Sequence, residues 1–362
     1  MPTISQAIDV GNYTTYGLRD DETAPRTRKS VMAQLIGRRI EVKPDNVIIE
    51  SNEYGAWHIG HQARKYGAAA HELMDLNKLE PENYVPMVLS TLGPLSKRVC
   101  SYEVELYWSL PEPSLICRGR DDVGEEITMT VAERLERALA RTFRYTYTDH
   151  SGAYDMTVAI KPKVCRPEGL DAVVFAREDG YLSEYGTVLG VDIGGGTVEM
   201  VTLDSDNTLL DRESYNGSNG SPLAGVVAIT SQLADNPEFR NAVTGIPNSG
   251  IIMDALCRPV IGHDGKPRYE YPLDNNQRFD FSDIFRKVAR SYYLEIQSKC
   301  SNRFKGSTGS EGMSGIMFFG GGANILRAPL KNFEIYIPDQ PELSNVHALY
   351  RLSNQRVGVM VG

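Results

Sequence analysis

Short apolar runs that end on glycine punctuate this chain, and between them lie stretches whose apolar positions recur every three to four residues. Residues 4–10 form the first run and meet Gly11, which predicts a strand entering a tight turn. Strand candidates follow at 41–43, 47–50 and 57–60, and 62–77 reads as helix. Thr130-x-x-Glu133 has the form of a helix capping box. Val131, Leu135, Ala138, Leu139 and Phe143 continue at helical spacing, so 131–147 is predicted as one amphipathic helix, with a strand after it at 156–160. Residues 188–193 are apolar and β-branched, as in a buried strand. They end in Gly194-Gly195-Gly196, and 198–203 resumes as strand, which predicts a glycine-tipped hairpin. A second clear helix is expected over 282–299, with Ile284, Phe285, Val288, Tyr292 and Ile296 on one face. Residues 315–319 read as a buried strand ended by Gly320-Gly321-Gly322, a helix opens at 324–326, and a short strand at 334–337 runs into a loop marked by Pro338 and Pro341.

The hairpins near residues 11 and 195 share one form, an apolar strand, Asp-x-Gly, then more strand. They lie about half the chain apart, which suggests a duplicated unit. A length of 362 residues suits two lobes, each with its own core. Apolar residues at 41% and charged residues at 23% are ordinary globular values. The net charge of −9 repels nucleic-acid phosphates, and the most basic stretches are only residues 26–29 and the pair Arg38/Arg39. Direct nucleic-acid binding is therefore not expected. Five cysteines, none in a C-x-x-C arrangement, suggest scattered thiols in a cytoplasmic protein. No apolar window reaches the length of a membrane span, and residues 351–362 show no clear amphipathic pattern, so no membrane association is expected.

The chemistry gathers at the glycines. The first hairpin reads Ile8-Asp9-Val10-Gly11-Asn12-Tyr13-Thr14 and the second Val191-Asp192-Ile193-Gly194-Gly195-Gly196-Thr197. Each places a carboxylate at a strand end and backbone N–H groups at a turn, where glycine lets the backbone approach a phosphate. Carboxylates repel bare phosphate, but they suit a hydrated Mg²⁺. The third element is Met317-Phe318-Phe319-Gly320-Gly321-Gly322-Ala323-Asn324, a strand running through glycines into a helix. That arrangement offers close approach to a base or ribose, and helix N–H groups to phosphate. Neither G-x-G-x-x-G nor G-x-x-x-x-G-K-[ST] is present, which excludes the Rossmann and P-loop fingerprints.

In order and spacing these three elements resemble the loops of the actin-type ATPase superfamily. The resemblance implies an α/β protein of the actin / chaperone ATPase / sugar kinase (ribonuclease H-like) fold, with two lobes around a nucleotide cleft. It implies ATP/ADP and Mg²⁺ as ligands. Asp9, Gly11, Asn12 and Tyr13 would form the first phosphate loop, and Asp192, Gly194, Gly195, Gly196 and Thr197 the second. Gly320, Gly321, Gly322 and Asn324 would form the adenosine loop, and Asp9 and Asp192 would hold Mg²⁺ through water. A finer resemblance is to the ParM-like plasmid-partition actins and their archaeal relatives. Ile59-Gly60-x-x-Ala63, Lys78-Leu79 before residues 84–92, and the proline-rich residues 338–350 carry it. So does Arg166-Pro167-Glu168-Gly169, where the family keeps a glutamate that positions the attacking water. Glu168 and Asp192 are thus the expected catalytic residues.

The implied lobes are residues 1–186 with 341–362, and 187–340. Where the family often has a lysine five residues after the first-loop glycine, this chain has Tyr16, so Mg²⁺ or another basic side chain must neutralise the phosphates. The implied function is an ATP-hydrolysing protein that assembles head to tail into dynamic cytoplasmic filaments and segregates plasmid or other DNA through a DNA-bound adaptor. A cytoskeletal actin of another role, a small-molecule kinase and a non-hydrolysing scaffold are the alternatives. A kinase needs a second general base, which the sequence does not locate, and a chaperone ATPase needs a long C-terminal domain beyond the adenosine loop. Tyr145, Tyr147, Tyr292 and Tyr293 are expected to be buried rather than to form an assembly surface.

Overall fold

The computed structural model describes residues 1–11, 14–35, 41–72, 75–120, 126–217, 223–243, 245–273, 277–304 and 313–359. The chain divides into two compact units, Met1–Asp171 with Asn345–Gly362, and Ala172–Ser344.

In the first unit the chain runs through β1 (Thr3–Val10), β2 (Thr14–Arg19), β3 (Arg26–Lys29), β4 (Val31–Gln34), β5 (Val47–Ser51), β6 (Gly55–Ile59) and β7 (Ala70–Glu72). It continues through α1 (Pro81–Thr91), β8 (Ser101–Leu110), the hairpin β9 (Ile116–Arg120) and β10 (Glu126–Thr130), α2 (Val131–Leu139), β11 (Thr142–Asp149) and β12 (Gly152–Pro167). Ten strands form one sheet in the order β3-β2-β1-β8-β12-β11-β5-β6-β4-β7. At its centre β1, β8 and β12 run parallel, and their register puts Asp9, Ser109 and Arg166 in one row. The carboxyl ends of three parallel strands thus arrive level, the usual place for ligand chemistry in a parallel sheet.

Helix α1 packs Tyr84, Val85, Met87, Val88 and Leu89 into the apolar core with Trp108, Tyr102 and Tyr147. The carbonyls just past its C-terminal end are taken. Tyr145 Oη donates to Leu92 O at 2.5 Å, Tyr102 Oη to Gly93 O at 2.8 Å and Arg19 Nη1 to Gly93 O at 3.1 Å. Guanidinium charge at this end also favours the helix dipole. Tyr145 and Tyr147 are buried here, as Tyr292 and Tyr293 are in the second unit.

The second unit contains α3 (Leu170–Glu178), which starts two residues before the division, then β13 (Thr187–Ile193), β14 (Val198–Leu203) and β15 (Leu209–Tyr215). Next come α4 (Val226–Asp235), α5 (Pro237–Ala242), α6 (Ser249–Cys257), β16 (Val260–Ile261), β17 (Pro267–Arg268), β18 (Glu270–Pro272) and β19 (Arg278–Asp280). The unit closes with α7 (Ser282–Phe304), β20 (Met313–Phe319) and α8 (Ala323–Arg327), and α9 (Ser344–Val359) returns to the first unit. Its sheet has the order β15-β14-β13-β20, with β13 and β20 parallel. Phe239, Phe281, Phe285, Tyr292 and Phe318 fill the core beside it.

The divisions between units fall at Asp171 and Ser344, where the sequence suggested 186/187 and 340/341. Helix α3 explains the earlier one. Val173 occupies the space where a side chain on Gly190 of β13 would sit, and Arg177 donates to Ser183 O, Gly186 O and Asn207 Oδ1.

Several predicted elements differ. The helix expected over 131–147 stops at Leu139, and the capping box at its start is present, with Glu133 N donating to Thr130 Oγ1 and Thr130 N to Glu133 Oε2. Residues Thr142–Asp149 are strand, because Phe143, Tyr145 and Tyr147 alternate inward at a period of two. The helix expected over 62–77 is a 3₁₀ segment, His61–Ala69, followed by β7 and a second 3₁₀ turn, Asp75–Leu79. Residues 41–43 pair with no strand, and Lys43 N donates instead to Gln62 Oε1. At 334–337 only a single bridge forms, Tyr336 with Met317. Among the described residues no helix is long and apolar enough to cross a membrane.

Candidate functional site

In the second unit the glycines hold two loops and a helix against one another. Helix α4 begins at Gly225, and its first two N–H groups, of Val226 and Val227, donate to Gly194 O at 3.0 Å and Gly195 O at 2.9 Å. A Cβ on Gly225 would lie 2.2 Å from Gly194 O, so only glycine lets the helix come this close. The consequence is directional. A trans peptide sets its C=O and N–H antiparallel. With the carbonyls of Gly194 and Gly195 held by α4, the N–H groups of Gly195 and Gly196 face away from the helix. Gly194 N–H itself closes the turn onto Thr197 O at 2.9 Å. Two adjacent outward amides on a glycine backbone form a concavity suited to an anion.

The glycines after β20 lock onto this loop. Gly322 N donates to Ile193 O at 2.7 Å and Gly320 N to Pro341 O at 2.8 Å. Gly320 has φ +80°, and a Cβ there would stand 2.1 Å from Asp192 Oδ1. The Asp192 carboxylate therefore occupies the space that the missing side chain leaves. Gly321 faces open space and, with Asn324, Ile325, Tyr269, Leu256 and Pro259, lines a cavity of about 540 Å³. Asn324 is oriented by Glu342, Nδ2 donating to Oε2 at 2.7 Å. Helix α8 is only five residues long, and the N–H groups of Gly322 and Ala323 are already bonded to Ile193 O and Gly320 O. Through these bonds the third loop braces the second. Across the hairpin, Asp192 faces Glu199, a buried carboxylate held by Ser214 Oγ at 2.6 Å and Arg212 Nη2 at 3.3 Å.

In the first unit side chains organise the site. Asp9, the last residue but one of β1, is buried and accepts from Ser109 Oγ at 3.4 Å. Gly11 follows, and its carbonyl accepts from Ser30 Oγ at 2.6 Å, with Thr15 Oγ1 a further 3.1 Å from Ser30 Oγ. Asn12 and Tyr13 lie outside the described residues. Tyr16 pairs with Asp9 across the hairpin. From β3, Lys29 Nζ donates to Thr14 Oγ1 at 3.1 Å.

Glu168 follows β12, tied to the neighbouring strand by its N–H donating to Leu110 O at 2.9 Å. Its side chain is buried and meets Lys78 Nζ at 3.4 Å, an ion pair with both partners shielded from water. Gly169, at φ +84°, turns the chain and donates to Asn345 Oδ1 at 3.1 Å. Burial pushes the nearby Cys165 thiol up to about 12, so it stays an unreactive S–H.

Asp9, Gly11 and Glu168 thus gather in the first unit, and Asp192, Gly194, Gly195, Gly196, Thr197, Gly320, Gly321, Gly322 and Asn324 in the second. The predicted site residues did not include Ser30, Ser109, Lys78, Gly225 or Glu199. Gly225 carried a signal, a glycine directly before the apolar run of α4, and Lys78 stood in the Lys78-Leu79 pair of the resemblance. In each unit the aspartate, Asp9 or Asp192, offers the hard carboxylate oxygens that suit Mg²⁺, an ion that takes few protein ligands.

No protein-family model matches the sequence, and no curated protein matches it. Solved structures do. The archaeal actin homologue Ta0583 superposes with a TM-score of 0.73 at 13% identity, over 98% of this chain and 99% of that one. The same protein in complex with ADP gives 0.66 at 13% identity, over 97% and 99%. The apo psk41 ParM protein gives 0.65 at 15% identity over the full length of both chains. A ParM from Clostridium botulinum, solved as a 15-stranded filament, gives 0.64 at 16% identity, over 98% and 100%. The likeness spans nearly the whole chain, and the fold is actin-like.

Proposed function

We propose that this chain is an actin-like protein that binds ATP, polymerises head to tail, and uses hydrolysis to limit the life of its filaments. The observation that carries the reading is the pair of outward amides at Gly195 and Gly196, fixed by α4 beside the Asp192 carboxylate. That arrangement suits a phosphate chain accompanied by a divalent cation. The ADP complex of one structural neighbour and the filament of another support nucleotide binding and polymerisation.

In this reading the second phosphate loop takes the phosphates, and Gly320 to Gly322 with Asn324 take the adenosine. Asp192, and by the resemblance Asp9, would hold Mg²⁺ through water, and the ion would supply neutralisation of charge on the phosphates. Glu168 accepts a hydrogen bond from the attacking water and orients it for in-line displacement. Lys78 holds the Glu168 side chain in place through their ion pair. Lys29 supplies the cation that Tyr16 cannot. The use implied by the ParM resemblance is segregation of plasmid or other DNA through a DNA-bound adaptor in the cytoplasm, an analogy of fold and motif.

The test is pelleting with negative-stain microscopy. Protein with Mg-ATP should sediment as filaments, and protein with ADP or without nucleotide should stay in the supernatant. No polymer in any nucleotide state, with phosphate release stimulated by a small hydroxylated compound, would move the protein to the kinase branch of the fold.

A further inference from the structure

Tyr84 stands in the first turns of α1 and is fully buried. Its ring packs edge-on against Trp108 of β8, centroids 5.8 Å apart and planes at 61°. Trp108 pairs in register with Cys165 on β12, three residues before Glu168. Lys78, in the turn that leads into α1, reaches Glu168 at 3.4 Å. One short stretch of chain thus brings both the lysine and the phenol to the carboxyl end of β12.

Burial, reinforced by Cys165, Glu168 and Asp9, raises the phenol's pKa well above its ordinary value, so Tyr84 keeps its proton and remains a donor. Yet this hydroxyl has no hydrogen-bond partner among the described residues. Folded proteins leave few such groups unsatisfied, and a buried water is the common remedy. If Tyr84 only filled space, phenylalanine would fill it as well and remove an orphaned polar atom.

We infer that Tyr84 is a positioning residue whose hydroxyl donates, through one buried water, to the Glu168 carboxylate and so helps fix the group that orients the attacking water. Lys78 holds one side of that carboxylate and the Tyr84-bound water another. The inference rests on the catalytic reading of Glu168.

Tyr84→Phe in the full-length protein tests it. The variant should unfold at the same temperature as wild type or slightly above it, because an unsatisfied hydroxyl has gone. Its kcat for phosphate release should fall about tenfold with KM for ATP unchanged, the signature of a lost supporting contact. A high-resolution crystal structure of the wild type should show a water within hydrogen-bond reach of Tyr84 Oη and Glu168, absent in the variant. Unchanged kcat in Tyr84→Phe, or no water at Tyr84 Oη, overturns the inference. Glu168→Gln separates the two claims. If that variant loses activity while Tyr84→Phe keeps it, this inference fails alone. If Glu168→Gln keeps full activity, the catalytic reading fails and this inference with it.

Discussion

The two Asp-x-Gly hairpins are alike in sequence and are held by different means. In the first unit, side chains hold the hairpin: Ser109 bonds Asp9, Ser30 bonds the Gly11 carbonyl, and a buried Lys78–Glu168 pair stands just past the end of β12, two strands from β1. In the second, backbone holds it: α4 bonds two glycine carbonyls, Gly322 bonds Ile193 O, and Asp192 fills the space over Gly320. The same local motif therefore serves two tasks. A side-chain network can place charge and a water, and can be tuned residue by residue. A glycine lattice presents amides at fixed positions and tolerates no added atom at Gly225, Gly320 or Gly322. The first unit should lose activity by loss of groups, and the second by gain of them.

Lys78→Met should have the largest effect. It strands Glu168 as a buried carboxylate without its partner, at a cost of about 3–5 kcal/mol in denaturant unfolding. The double variant Lys78→Met/Glu168→Gln should recover most of that loss, because neither charge remains. A Lys78→Met protein as stable as wild type would show that the ion pair does not hold this site. Gly320→Ala comes next. Its positive φ and the contacts at 2.1 Å with Asp192 Oδ1 and 2.8 Å with Ile193 O should destabilise the fold by about 2–3 kcal/mol. Gly321→Ala, facing open space, should change stability by less than about 0.5 kcal/mol. Equal effects from these neighbours would refute the lattice picture. Ser30→Ala should cost about 1 kcal/mol, one hydrogen bond to the Gly11 carbonyl, and should weaken ATP affinity more than it slows turnover.

Legibility in the sequence divides along the same line. Strands β13, β14 and β20 match their predicted ranges within a residue or two, because buried strands ending in glycine are apolar runs with sharp stops. Helix α7 starts at the predicted residue for a similar reason, a sustained apolar face. The expected helix overruns into residues 142–147 because Phe143 fits both patterns, four residues after Leu139 on a helix and first of three inward positions on a strand. Strand β8 drew no prediction although it lies at the centre of the first sheet. Glu103 and Glu105 interrupt its apolar run, and only pairing with Lys161 and Lys163 on β12 explains them. The backbone half of the site was visible as glycine. The side-chain half was visible only at Asp9 and Glu168, since Ser109 acquires meaning from its register beside Asp9, and Lys78 from a fold that brings residue 78 to residue 168.

The most direct test follows light scattering and phosphate release together in one sample of Mg-ATP-loaded protein, wild type beside Glu168→Gln. Wild-type scattering should rise on ATP addition and fall as phosphate accumulates, while Glu168→Gln should assemble, release phosphate about 100-fold more slowly and persist. No rise in scattering at any protein concentration, or Glu168→Gln polymer that shrinks at the wild-type rate, would contradict the account.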